Sequence, residues 1–452
     1  MNNHIKELIK KLGKKKVRTE EEYLITHSFD AMRKKFPPEV VVFPETTEDI
    51  VKIVNISSKH DIPVTVRGAG TGQTGGALPV KGGILISFTK MDKILEINTT
   101  SGTAIVEPGV ITYNLQKEVE KTGLFYPPDP ASLKTSTIGG NVAENAGGPR
   151  CFKYGVTKNY VLGLEAVLMN GEIIKTGGKT IKNVVGYNLT DLLTGSEGTL
   201  AIITKIILKL IPKPESRAVA RIGFENLSDA VEGVTKIITH GLFPSALEFM
   251  DKTAIEEVNS VFPFNYPEQT KAFLILEFDG IKEEIKAQLL KLTNLFSNEK
   301  ITEIITADKE EDMEKTWEIR RNISGAISKS NLIKVNEDIV VPRDKLVDTV
   351  GFVYSLGKDF GIKTIQFGHI ADGNIHTNFM ITREQQKIIR TVLTKLFEFV
   401  VKSGGVLSGE HGIGIAKKPY IPLQLSKTEI ELQKNIKKLF DPKNLLNPDK
   451  IF

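Results

Sequence analysis

The sequence predicts an α+β fold with two main domains. Residues 37–210 mix short helices with strand-like runs and glycine-dense loops, and the paired prolines of IPKPES, Pro212 and Pro214, end that pattern. Beyond them, helical stretches alternate with apolar runs such as FLILEF at residues 273–278, which is typical of an antiparallel sheet with helices. The predicted parts are an N-terminal helical segment (1–36), a first domain (37–214), a second domain (215–425) and a C-terminal segment (426–452).

Composition narrows the class of protein. The chain has 452 residues, of which 40% are hydrophobic and 25% charged, as in globular proteins. A net charge of +5, with basic and acidic residues interleaved, gives no reason to expect nucleic-acid binding. The sequence contains no apolar run long enough for a membrane-spanning helix and no secretory signal at its start. The single cysteine, Cys151, excludes an intramolecular disulfide and an iron–sulfur cluster held by this chain alone, so a cytoplasmic location is expected.

The first predicted elements are two helices and several short strands. An amphipathic helix near the N-terminus places four apolar residues on one face: Ile5, Leu8, Ile9 and Leu12. A second helix runs from about Thr47 to His60 and is capped by Thr46 or Thr47. The runs PVTVRG, GILISF and TAIVE then predict strands.

A glycine-rich loop, RGAGTGQTGGA at residues 67–77, follows the first of these strands. Its Gly70, Gly72 and Gly75 satisfy GxGxxG, but a dinucleotide fingerprint also needs a helix at the third glycine, and here the chain leads to another strand. No Gly-Lys-Ser/Thr follows, which excludes a Walker loop. Backbone amides in such a loop can still wrap a pyrophosphate, with Arg67 adding charge. The alternative is a flexible turn without a ligand.

Residues 126–155 form a second region rich in glycine and proline. The run YPPDPASLKTSTIGGNVAENAGGPRCFKYG predicts neither a continuous helix nor a continuous strand. A long irregular segment inside a compact domain is usually functional, and small residues allow a flat ligand to approach the backbone. The motif GSEGTL at residues 195–200 is a third small-residue approach, before the strand-like run AIITKIILKL.

Three of the seven histidines lie between residues 369 and 411. An Asp-Gly pair at residues 372–373 separates two alternating apolar runs, which predicts a tight hairpin with His369 opposite His376. Opposed residues have Cβ atoms about 5 Å apart, so the two imidazoles can share a divalent cation. Glu410, in SGEHG, is the candidate third ligand, which leaves a position open for substrate. The alternative is that both histidines are ordinary strand residues.

The last predicted elements are a helix and a tail. Residues 383–404 carry a helical apolar period and predict one long helix. The ending FDPKNLLNPDKIF is rich in proline and asparagine and has no helical period.

Taken together, six segments resemble one family. They are RGAGTGQTGGA, PPDPASLKTSTIGGNVAENAGG, GSEGTL, HIADGNIH, SGEHGIG and FDPKNLLNPDKIF. They resemble the FAD-dependent D-2-hydroxyacid dehydrogenases of the vanillyl-alcohol-oxidase/p-cresol-methylhydroxylase superfamily, a group with D-lactate dehydrogenases, the glycolate oxidase flavin subunit and D-2-hydroxyglutarate dehydrogenase. The resemblance implies a two-lobed FAD-binding domain, an α+β cap domain over the isoalloxazine, and a C-terminal segment that returns to the FAD domain.

The resemblance also implies the residues that bind FAD. The pyrophosphate contacts would be Arg67, Gly68, Ala69, Gly70, Thr71, Gly72, Gln73, Thr74, Gly75, Gly76 and Ala77. The flavin and ribityl would be lined by Pro130, Ser132, Thr137, Gly140, Asn141, Ala143 and Gly147, with Glu197 and Ile203 near the adenosine end and Asn447 reaching back from the tail. Some members of the superfamily bind FAD covalently through His or Cys. Because no histidine lies between His60 and His240, and Cys151 stands outside the linking positions, non-covalent FAD is expected.

In the cap domain, the resemblance places His369, His376 and Glu410 on the metal ligands and His411 on the catalytic base. Zinc suits this ligand set best, and manganese or iron(II) is compatible. The resemblance also matches Arg320 in WxxR to the residue that holds the substrate carboxylate and Lys334 to a second carboxylate-binding cation. Ser324, one helical turn after Arg320, and Asn378, on the His376 face, are further candidate substrate contacts. The alternative for Arg320 and Lys334 is ordinary surface charge.

The implied reaction is oxidation of a D-2-hydroxy acid to the 2-oxo acid, with the hydroxyl proton taken by His411 and a hydride passed to flavin N5. D-Lactate is favoured over glycolate and D-2-hydroxyglutarate, since residues 322–333 contain one cation, Lys329, and a second carboxylate wants its own charged partner. Three electron acceptors are compatible with the resemblance: an electron-transferring flavoprotein, an iron–sulfur subunit and a quinone. Peripheral association of the protein with a membrane would be made through such a partner. Two alternatives are a non-catalytic flavin-binding subunit and a non-redox flavoprotein of the alkyl-dihydroxyacetone-phosphate-synthase type.

Overall fold

The computed structural model describes residues 2–297 and 299–452. The chain divides into two compact units. The first unit comprises the N-terminal part up to Gly147, then Val156–Lys213 and Glu410–Phe452, and the second comprises Gly148–Gly155 and Pro214–Gly409. These units divide after Lys213, and the sequence-based partition divides after residue 214. The short segment 148–155 and the stretch from residue 410 to 425 lie in the other unit from the one the sequence-based partition gives them.

The strands, in chain order, are β1 (Val17–Arg18), β2 (Val40–Val42), β3 (Val64–Arg67), β4 (Ile84–Ser87), β5 (Ile94–Asn98), β6 (Thr103–Val106), β7 (Leu124–Phe125), β8 (Val161–Val167), β9 (Ile173–Gly177), β10 (Ile202–Lys209), β11 (Ile211–Pro212), β12 (Ser216–Phe224), β13 (Ala246–Asp251), β14 (Ala272–Gly280), β15 (Ile301–Ala307), β16 (Ile333–Val340), β17 (Lys363–His369) and β18 (Asn374–Ile381).

The helices are α1 (Asn3–Leu12), α2 (Glu21–Thr26), α3 (Thr47–His60), α4 (Thr112–Glu120), α5 (Ile138–Glu144), α6 (Cys151–Tyr154), α7 (Leu189–Leu193), α8 (Leu227–Thr239), α9 (Lys252–Val261), α10 (Lys282–Phe296), α11 (Glu310–Arg321), α12 (Ile323–Ile327), α13 (Leu346–Asp359), α14 (Ile389–Lys402), α15 (Ile421–Gln424) and α16 (Lys427–Phe440). Short 3₁₀ turns cover Thr157–Tyr160, Arg343–Lys345, Ile370–Asp372, Glu384–Lys387 and Lys418–Tyr420.

The first unit contains two main sheets. One has the order β1-β2-β4-β3, with β4 parallel to both β2 and β3, and the other has the order β5-β6-β10-β8-β9 and is antiparallel. The tail joins the first sheet, because Leu446 bridges Val64 of β3 in parallel and is buried in the same core. The irregular ending predicted after Phe440 therefore contributes directly to the core.

Two predicted features of the first unit are confirmed. Helix α1 buries Ile5, Leu8 and Leu12 in the core, with Ile9 packed against it. Helix α3 begins after Thr46, whose hydroxyl accepts a hydrogen bond from the Asp49 amide. The apolar period and the cap residue were both visible in the sequence.

The second unit is built on a seven-stranded sheet, which confirms the predicted antiparallel sheet with helices. Its order is β15-β12-β14-β13-β17-β18-β16, and every neighbouring pair is antiparallel. Helices α9, α11 and α12 pack on the face that carries Met250, Ile275 and Phe367. Helix α13 packs on the opposite face, where Gln366 Nε2 donates to the Val350 carbonyl at 3.1 Å. Since helices cover both faces, polar residues in the central strands are buried.

The structure adds a short helix to one predicted irregular segment and changes the start of one predicted helix. Within residues 126–155, Ile138–Glu144 forms helix α5, because the Thr137 hydroxyl accepts the Gly140 amide at its start and Asn145 ends it in the left-handed conformation. The predicted helix at residues 383–404 begins later, at Ile389, after a 3₁₀ turn at Glu384–Lys387. Capping explains α5, whereas the start of α14 at Ile389 has no side-chain cap.

Candidate active site

The two histidines of the HxxxxxxH motif lie on one face of the second unit's sheet. Their rings are 5.2 Å apart between centroids and nearly perpendicular. The predicted register is wrong by two residues, because His376 pairs with Phe367 rather than with His369. The cause is the connection: Ile370–Asp372 forms a 3₁₀ turn that ends at Gly373 (φ 84°), a longer loop than a two-residue turn. His369 pairs instead with Glu248 of β13, and the histidines are diagonal neighbours on the predicted common face.

Glu248 contacts His369 directly. Its Oε1 lies 2.5 Å from His369 Nδ1, and its Oε2 accepts a hydrogen bond of 2.5 Å from Arg320 Nε. The carboxylate is completely buried. Burial alone would raise the pKa of Glu248, but the adjacent Arg320 and His369 hold it at about 2. The carboxylate is therefore charged and bonded to Nδ1 of the histidine, so a metal ion would be ligated through Nε2.

Glu410 is placed by its covalent link to Gly409, the last residue of the second unit. The Gly409 amide donates to Asp338 at 2.9 Å (carbonyl) and 3.0 Å (Oδ2), and the Ser408 hydroxyl donates to both Asp338 oxygens. Asp338 lies directly opposite His376 on the neighbouring strand. One buried aspartate thus fixes the chain immediately before Glu410 next to a histidine.

The three predicted metal ligands fit a divalent cation. His369, His376 and Glu410 each offer one ligand atom, and these atoms all lie within 4.8 Å of one another. Two imidazoles and a carboxylate are a common zinc ligand set, and such a site keeps positions open for a further ligand. Both histidines are buried and Glu410 is half-buried. A bound cation would compensate these ligand atoms for the contacts with water that burial removes.

Arg320 is buried in helix α11, so ordinary surface charge does not describe it. Its guanidinium lies 4.7 Å from the centroid of the Phe367 ring, and Nε is bonded to Glu248. One turn earlier, Trp317 Nε1 donates to the buried carboxylate of Glu277 at 2.8 Å. Two carboxylates of the sheet therefore hold the WxxR helix by its Trp and its Arg.

The other predicted substrate residues lie in different settings. Asn378 is fully buried on the His376 face, donates to the Ile365 carbonyl at 3.2 Å, and has no hydrogen-bond partner for Oδ1 within the described chain. Lys334 lies half-buried on β16 opposite Met380, and Ser324 is exposed on α12, beyond the break after α11. His411, the predicted base, is held through its carbonyl by the Thr74 hydroxyl at 2.9 Å, and its Nε2 lies 3.9 Å from Glu410 Oε1.

The loop of residues 67–77 needs glycine for space. A Cβ at Gly70 would lie 2.2 Å from the Arg67 guanidinium, and one at Gly76 would lie 2.8 Å from Glu144 Oε1. Arg67 donates to the Phe29 carbonyl at 2.8 Å, and burial lowers its pKa, with Asp30 opposing the shift. The segment between Arg67 and the strand β4 contains no helix, as predicted, which separates it from a dinucleotide fingerprint.

The second glycine-rich segment approaches this loop within the first unit. A Cβ at Gly68 would lie 2.2 Å from Thr137 Oγ1, so the two segments touch at a position where only glycine fits. Helix α5 contains three of the predicted flavin contacts, and a fourth lies just beyond its end. These are Gly140, Asn141, Ala143 and, beyond the helix, Gly147, while Pro130 and Ser132 lie in the turns before it.

Three predicted FAD residues make bonds that hold the first unit together. Both carboxylate oxygens of Glu197 accept backbone amides at 2.7 Å, from Ile413 and Gly414, and burial raises the pKa of Glu197 against these bonds. The Asn447 amide joins the Val66 N–H to the Glu197 carbonyl, at 3.2 and 2.9 Å. Ile203 is buried on β10 opposite Ala166.

Sequence reasoning missed Glu248, Glu277 and Asp338. Each is an acidic residue inside an apolar strand, in ALEFMD, AFLILEFDG and IKVNEDIV. Charged residues are almost never fully buried unless paired, so an acid in such a run was the available signal.

Comparison with known proteins identifies the family of this chain. The FAD binding domain family matches residues 38–177, and the C-terminal domain family of FAD linked oxidases matches residues 213–451. The chain belongs to the FAD-linked oxidase family. It is therefore a flavoprotein oxidoreductase with FAD as its cofactor.

Several relatives match over almost the whole chain. Glycolate oxidase subunit GlcD of Bacillus subtilis is 39% identical, covering 95% of this chain and 92% of the relative. A D-lactate dehydrogenase of Anaerostipes hadrus is 36% identical, with 94% and 92% covered. A D-2-hydroxyglutarate dehydrogenase of Stutzerimonas stutzeri is 33% identical, with 92% and 91% covered.

Solved structures share the fold at low identity. Substrate-bound p-cresol methylhydroxylase superposes with a TM-score of 0.84 at 19% identity, covering 100% of this chain and 96% of that chain. Alkyldihydroxyacetonephosphate synthase superposes with a TM-score of 0.76 at 20% identity, covering 99% and 86%. The predicted fold of the vanillyl-alcohol-oxidase type is confirmed. Among residues 2–297 and 299–452 of this chain, no helix combines the length and the apolar character that crossing a membrane requires.

Proposed function

We propose that this FAD-linked oxidase oxidises a D-2-hydroxy acid, with D-lactate favoured, to the corresponding 2-oxo acid. The observation that carries the proposal is the cluster of His369, His376 and Glu410, linked through Glu248 to the buried Arg320. A cation site and a guanidinium joined through one carboxylate suit a substrate that bears a hydroxyl next to a carboxylate.

The first unit would hold FAD without a covalent link. In the glycine-rich loop of residues 67–77, a Cβ at Gly68, Gly70 or Gly76 would collide with Thr137, Arg67 or Glu144, so the backbone there packs closely against its neighbours without side chains. The backbone amides of such a loop can bind a pyrophosphate. When bound, FAD accepts two electrons and the C2 hydrogen as a hydride. The only cysteine, Cys151, and the lack of histidine between His60 and His240 argue against a covalent bond.

His369, His376 and Glu410 would hold one divalent ion, zinc by the ligand set, with manganese or iron(II) compatible. When bound, such an ion lowers the pKa of a coordinated hydroxyl by several units. The buried Glu248 keeps the His369 ring in one orientation, so the ligand atom does not have to be reoriented on binding.

Arg320 and His411 would carry the remaining roles. With Nε bonded to Glu248, Arg320 retains its two Nη groups for a bidentate contact with the substrate carboxylate, which fixes C2. His411 accepts the hydroxyl proton at a ring nitrogen, as a neutral imidazole can near neutral pH. Lys334, Asn378 and Ser324 complete the proposed substrate contacts. The proton and the hydride together account for the two hydrogens lost by the hydroxy acid.

D-Lactate is favoured over a dicarboxylate on the charge of the substrate-binding segment. Residues 322–333, between the arginines of α11 and Lys334, contain one cation, Lys329, and a second carboxylate is bound best by its own charged partner. The name of the Anaerostipes hadrus relative agrees with this choice, and the names of the other relatives keep glycolate and D-2-hydroxyglutarate as alternatives.

A separate partner would reoxidise the flavin. One cysteine cannot hold an iron–sulfur cluster, so electrons leave this chain to another carrier: an electron-transferring flavoprotein, an iron–sulfur subunit or a quinone. The relative from Bacillus subtilis is named as a subunit, which favours a protein acceptor in the cytoplasm, with any membrane association made by the partner.

Anaerobic reduction of the flavin tests the reaction. The purified holoprotein is mixed with D-lactate, L-lactate, glycolate or D-2-hydroxyglutarate, and the flavin absorbance near 450 nm is followed. We expect fastest bleaching with D-lactate. Bleaching by D-2-hydroxyglutarate with a kcat/KM more than about tenfold higher, or about 1.4 kcal/mol in the transition state, would show that the dicarboxylate is the substrate. No bleaching with any hydroxy acid would favour a non-redox flavoprotein such as the synthase that shares the fold.

The carboxylate role of Arg320 is tested separately. Arg320→Met should abolish flavin reduction by every hydroxy acid, while dithionite still reduces the bound flavin. Arg321→Met is the matched control, because Arg321 is exposed on the same helix and paired with Glu314. Retention of wild-type KM in the Arg320 variant would remove it from substrate binding.

A further inference from the structure

We infer that Glu248 is a positioning residue that sets, with its two carboxylate oxygens, both a metal-ligating histidine and the substrate-binding arginine. The inference rests on the proposed function and deepens it, because it makes one buried side chain responsible for two binding events. Glu248 itself is not proposed to touch substrate, metal or flavin.

The geometry divides the carboxylate between its two partners. Oε1 lies 2.5 Å from His369 Nδ1 and Oε2 lies 2.5 Å from Arg320 Nε, and the residue has no exposed surface. Both bonds join an N–H donor to a charged carboxylate, and such charge-assisted bonds are roughly twice as strong as neutral ones. Water cannot replace either bond at a site with no access, so losing Glu248 would leave both partners unsatisfied.

The bond to His369 fixes the tautomer of the ring. An ionised carboxylate only accepts, so Nδ1 must carry the proton, and Nε2 then presents its lone pair. A metal-ligating histidine held in this way keeps its orientation and gains basicity, and removing such a partner typically costs about 10- to 100-fold in metal affinity. The strand pairing supports the contact, because Glu248 and His369 are direct neighbours in the sheet.

The bond to Arg320 fixes the plane of the guanidinium. With Nε held by Glu248 and the group lying 4.7 Å from the centroid of the Phe367 ring, the two Nη groups are aimed in one direction. A preoriented guanidinium loses less conformational entropy when it binds a carboxylate. Phe367 also pairs with His376, so the arginine and both histidines share one packed cluster.

A consequence is that metal binding and carboxylate binding are coupled through Glu248. Binding at either site would hold Glu248 in the orientation in which it bonds both partners, and so would favour binding at the other site. The sequence separation of 121 residues between Glu248 and His369 and 72 between Glu248 and Arg320 shows that the link depends on the folded sheet.

Glu248→Gln tests the inference in the FAD-loaded protein. Glutamine keeps the size of the side chain, but its NH₂ group cannot accept from Arg320 Nε–H or His369 Nδ1–H, so one bond is lost. Zinc affinity is measured by equilibrium dialysis with a competing chelator, and KM and kcat for D-lactate are measured at saturating zinc. We expect zinc affinity to fall at least tenfold and KM to rise at least tenfold, with a smaller change in kcat.

Asp279→Asn is the matched control. Asp279 is a buried carboxylate on the next strand, β14, and it accepts hydrogen bonds from Lys153 and Tyr154, outside the cluster of His369 and Arg320. It should lower the thermal midpoint about as much as Glu248→Gln while leaving zinc affinity and KM unchanged. Equal loss of zinc in both variants would reduce Glu248 to a structural role and overturn the inference.

Two further outcomes are separable. A wild-type protein that binds zinc, with a Glu248→Gln variant of unchanged zinc affinity and KM, overturns the inference alone. A wild-type protein that binds neither zinc, manganese nor iron(II) overturns the proposed metal site, and the inference with it.

Discussion

Buried carboxylates organise this protein at the scale of single residues. Glu248, Glu277 and Asp338 in the second unit and Glu197 in the first each accept hydrogen bonds from at least two protein groups. An ionised carboxylate is costly to bury unless it is paired in this way. These acids have a positioning role, because each of them fixes a residue of a predicted binding site or the backbone next to one.

His369→Ala and His376→Ala should each remove the metal and the turnover while FAD stays bound, because the predicted FAD-binding residues belong to the first unit. Metal content by mass spectrometry and flavin absorbance measure the two properties on the same sample. Treatment of the wild type with a chelator should reproduce the mutants, and added zinc should restore only the treated wild type. Full activity in metal-free protein would contradict this prediction.

Lys450 should make the free energy of unfolding depend on pH in the alkaline range. Its ammonium donates to the Gly76 and Leu78 carbonyls, and burial lowers the pKa of Lys450 to about 8, from 10.5, with nearby acids opposing the shift. Between these values the unfolded chain binds more protons than the folded one, so the contribution of Lys450 to stability rises with pH across this window. The free energy of unfolding of the wild type minus that of Lys450→Met should therefore increase from pH 8 to 10, by up to about 3 kcal/mol. A difference that stays flat with pH would contradict the lowered pKa.

At the scale of elements, the β17–β18 hairpin illustrates what the sequence could predict. The period-2 alternation identified the correct face for His369 and His376, because His369 lies two residues, an even number, beyond Phe367, which is the strand partner of His376. The register was not predictable, because an Asp-Gly pair is compatible with a two-residue turn and also with a 3₁₀ turn that ends on the same glycine. The neighbour of His369 on β13 depends on strand order, which local sequence does not contain. Glu248 could therefore not be assigned to it in advance.

Gly409 should be required where the chain enters Glu410. A Cβ there would lie 2.3 Å from Asn374 Nδ2 and 2.6 Å from Val340 Cγ2, so Gly409→Ala must push residues 408–410 away from the strands. Overpacking of this kind costs about 1–3 kcal/mol, and the displaced Glu410 should weaken zinc binding. Gly351→Ala in α13 is the control, because a Cβ at Gly351 meets no atom within 4 Å among the residues described. Equal zinc affinity in the two variants would show that Glu410 does not depend on this close approach.

At the scale of the whole molecule, the two-unit organisation was largely visible in the sequence. The proline pair near residue 214 marks a boundary that the structure shares, since consecutive prolines interrupt regular hydrogen bonding. The assignment of residues 148–155 to the second unit was not visible. It depends on Lys153 and Tyr154 bonding to Asp279, and Arg150 to Glu277, across more than a hundred residues.

Acid precipitation should release the flavin. The protein as purified should be yellow, and trichloroacetic acid should leave FAD in the supernatant, because no histidine or cysteine stands at a linking position. Thin-layer chromatography against FAD and FMN standards identifies the released flavin. Colour that remains in the pellet would show a covalent bond.

The return of the tail to β3 has a consequence for synthesis on the ribosome. Val64 is translated long before Leu445, yet its amide donates to the Leu445 carbonyl, and the amide of Val66 donates to the side chain of Asn447. The second unit, by contrast, has all its residues once Gly409 has left the exit tunnel. The unit that is begun first is therefore finished last, and its β3 edge stays unpaired during most of translation. A nonsense codon near residue 440 would leave the second unit complete. The first unit would lack the residues that pair with β3 and would be exposed to chaperones and proteases.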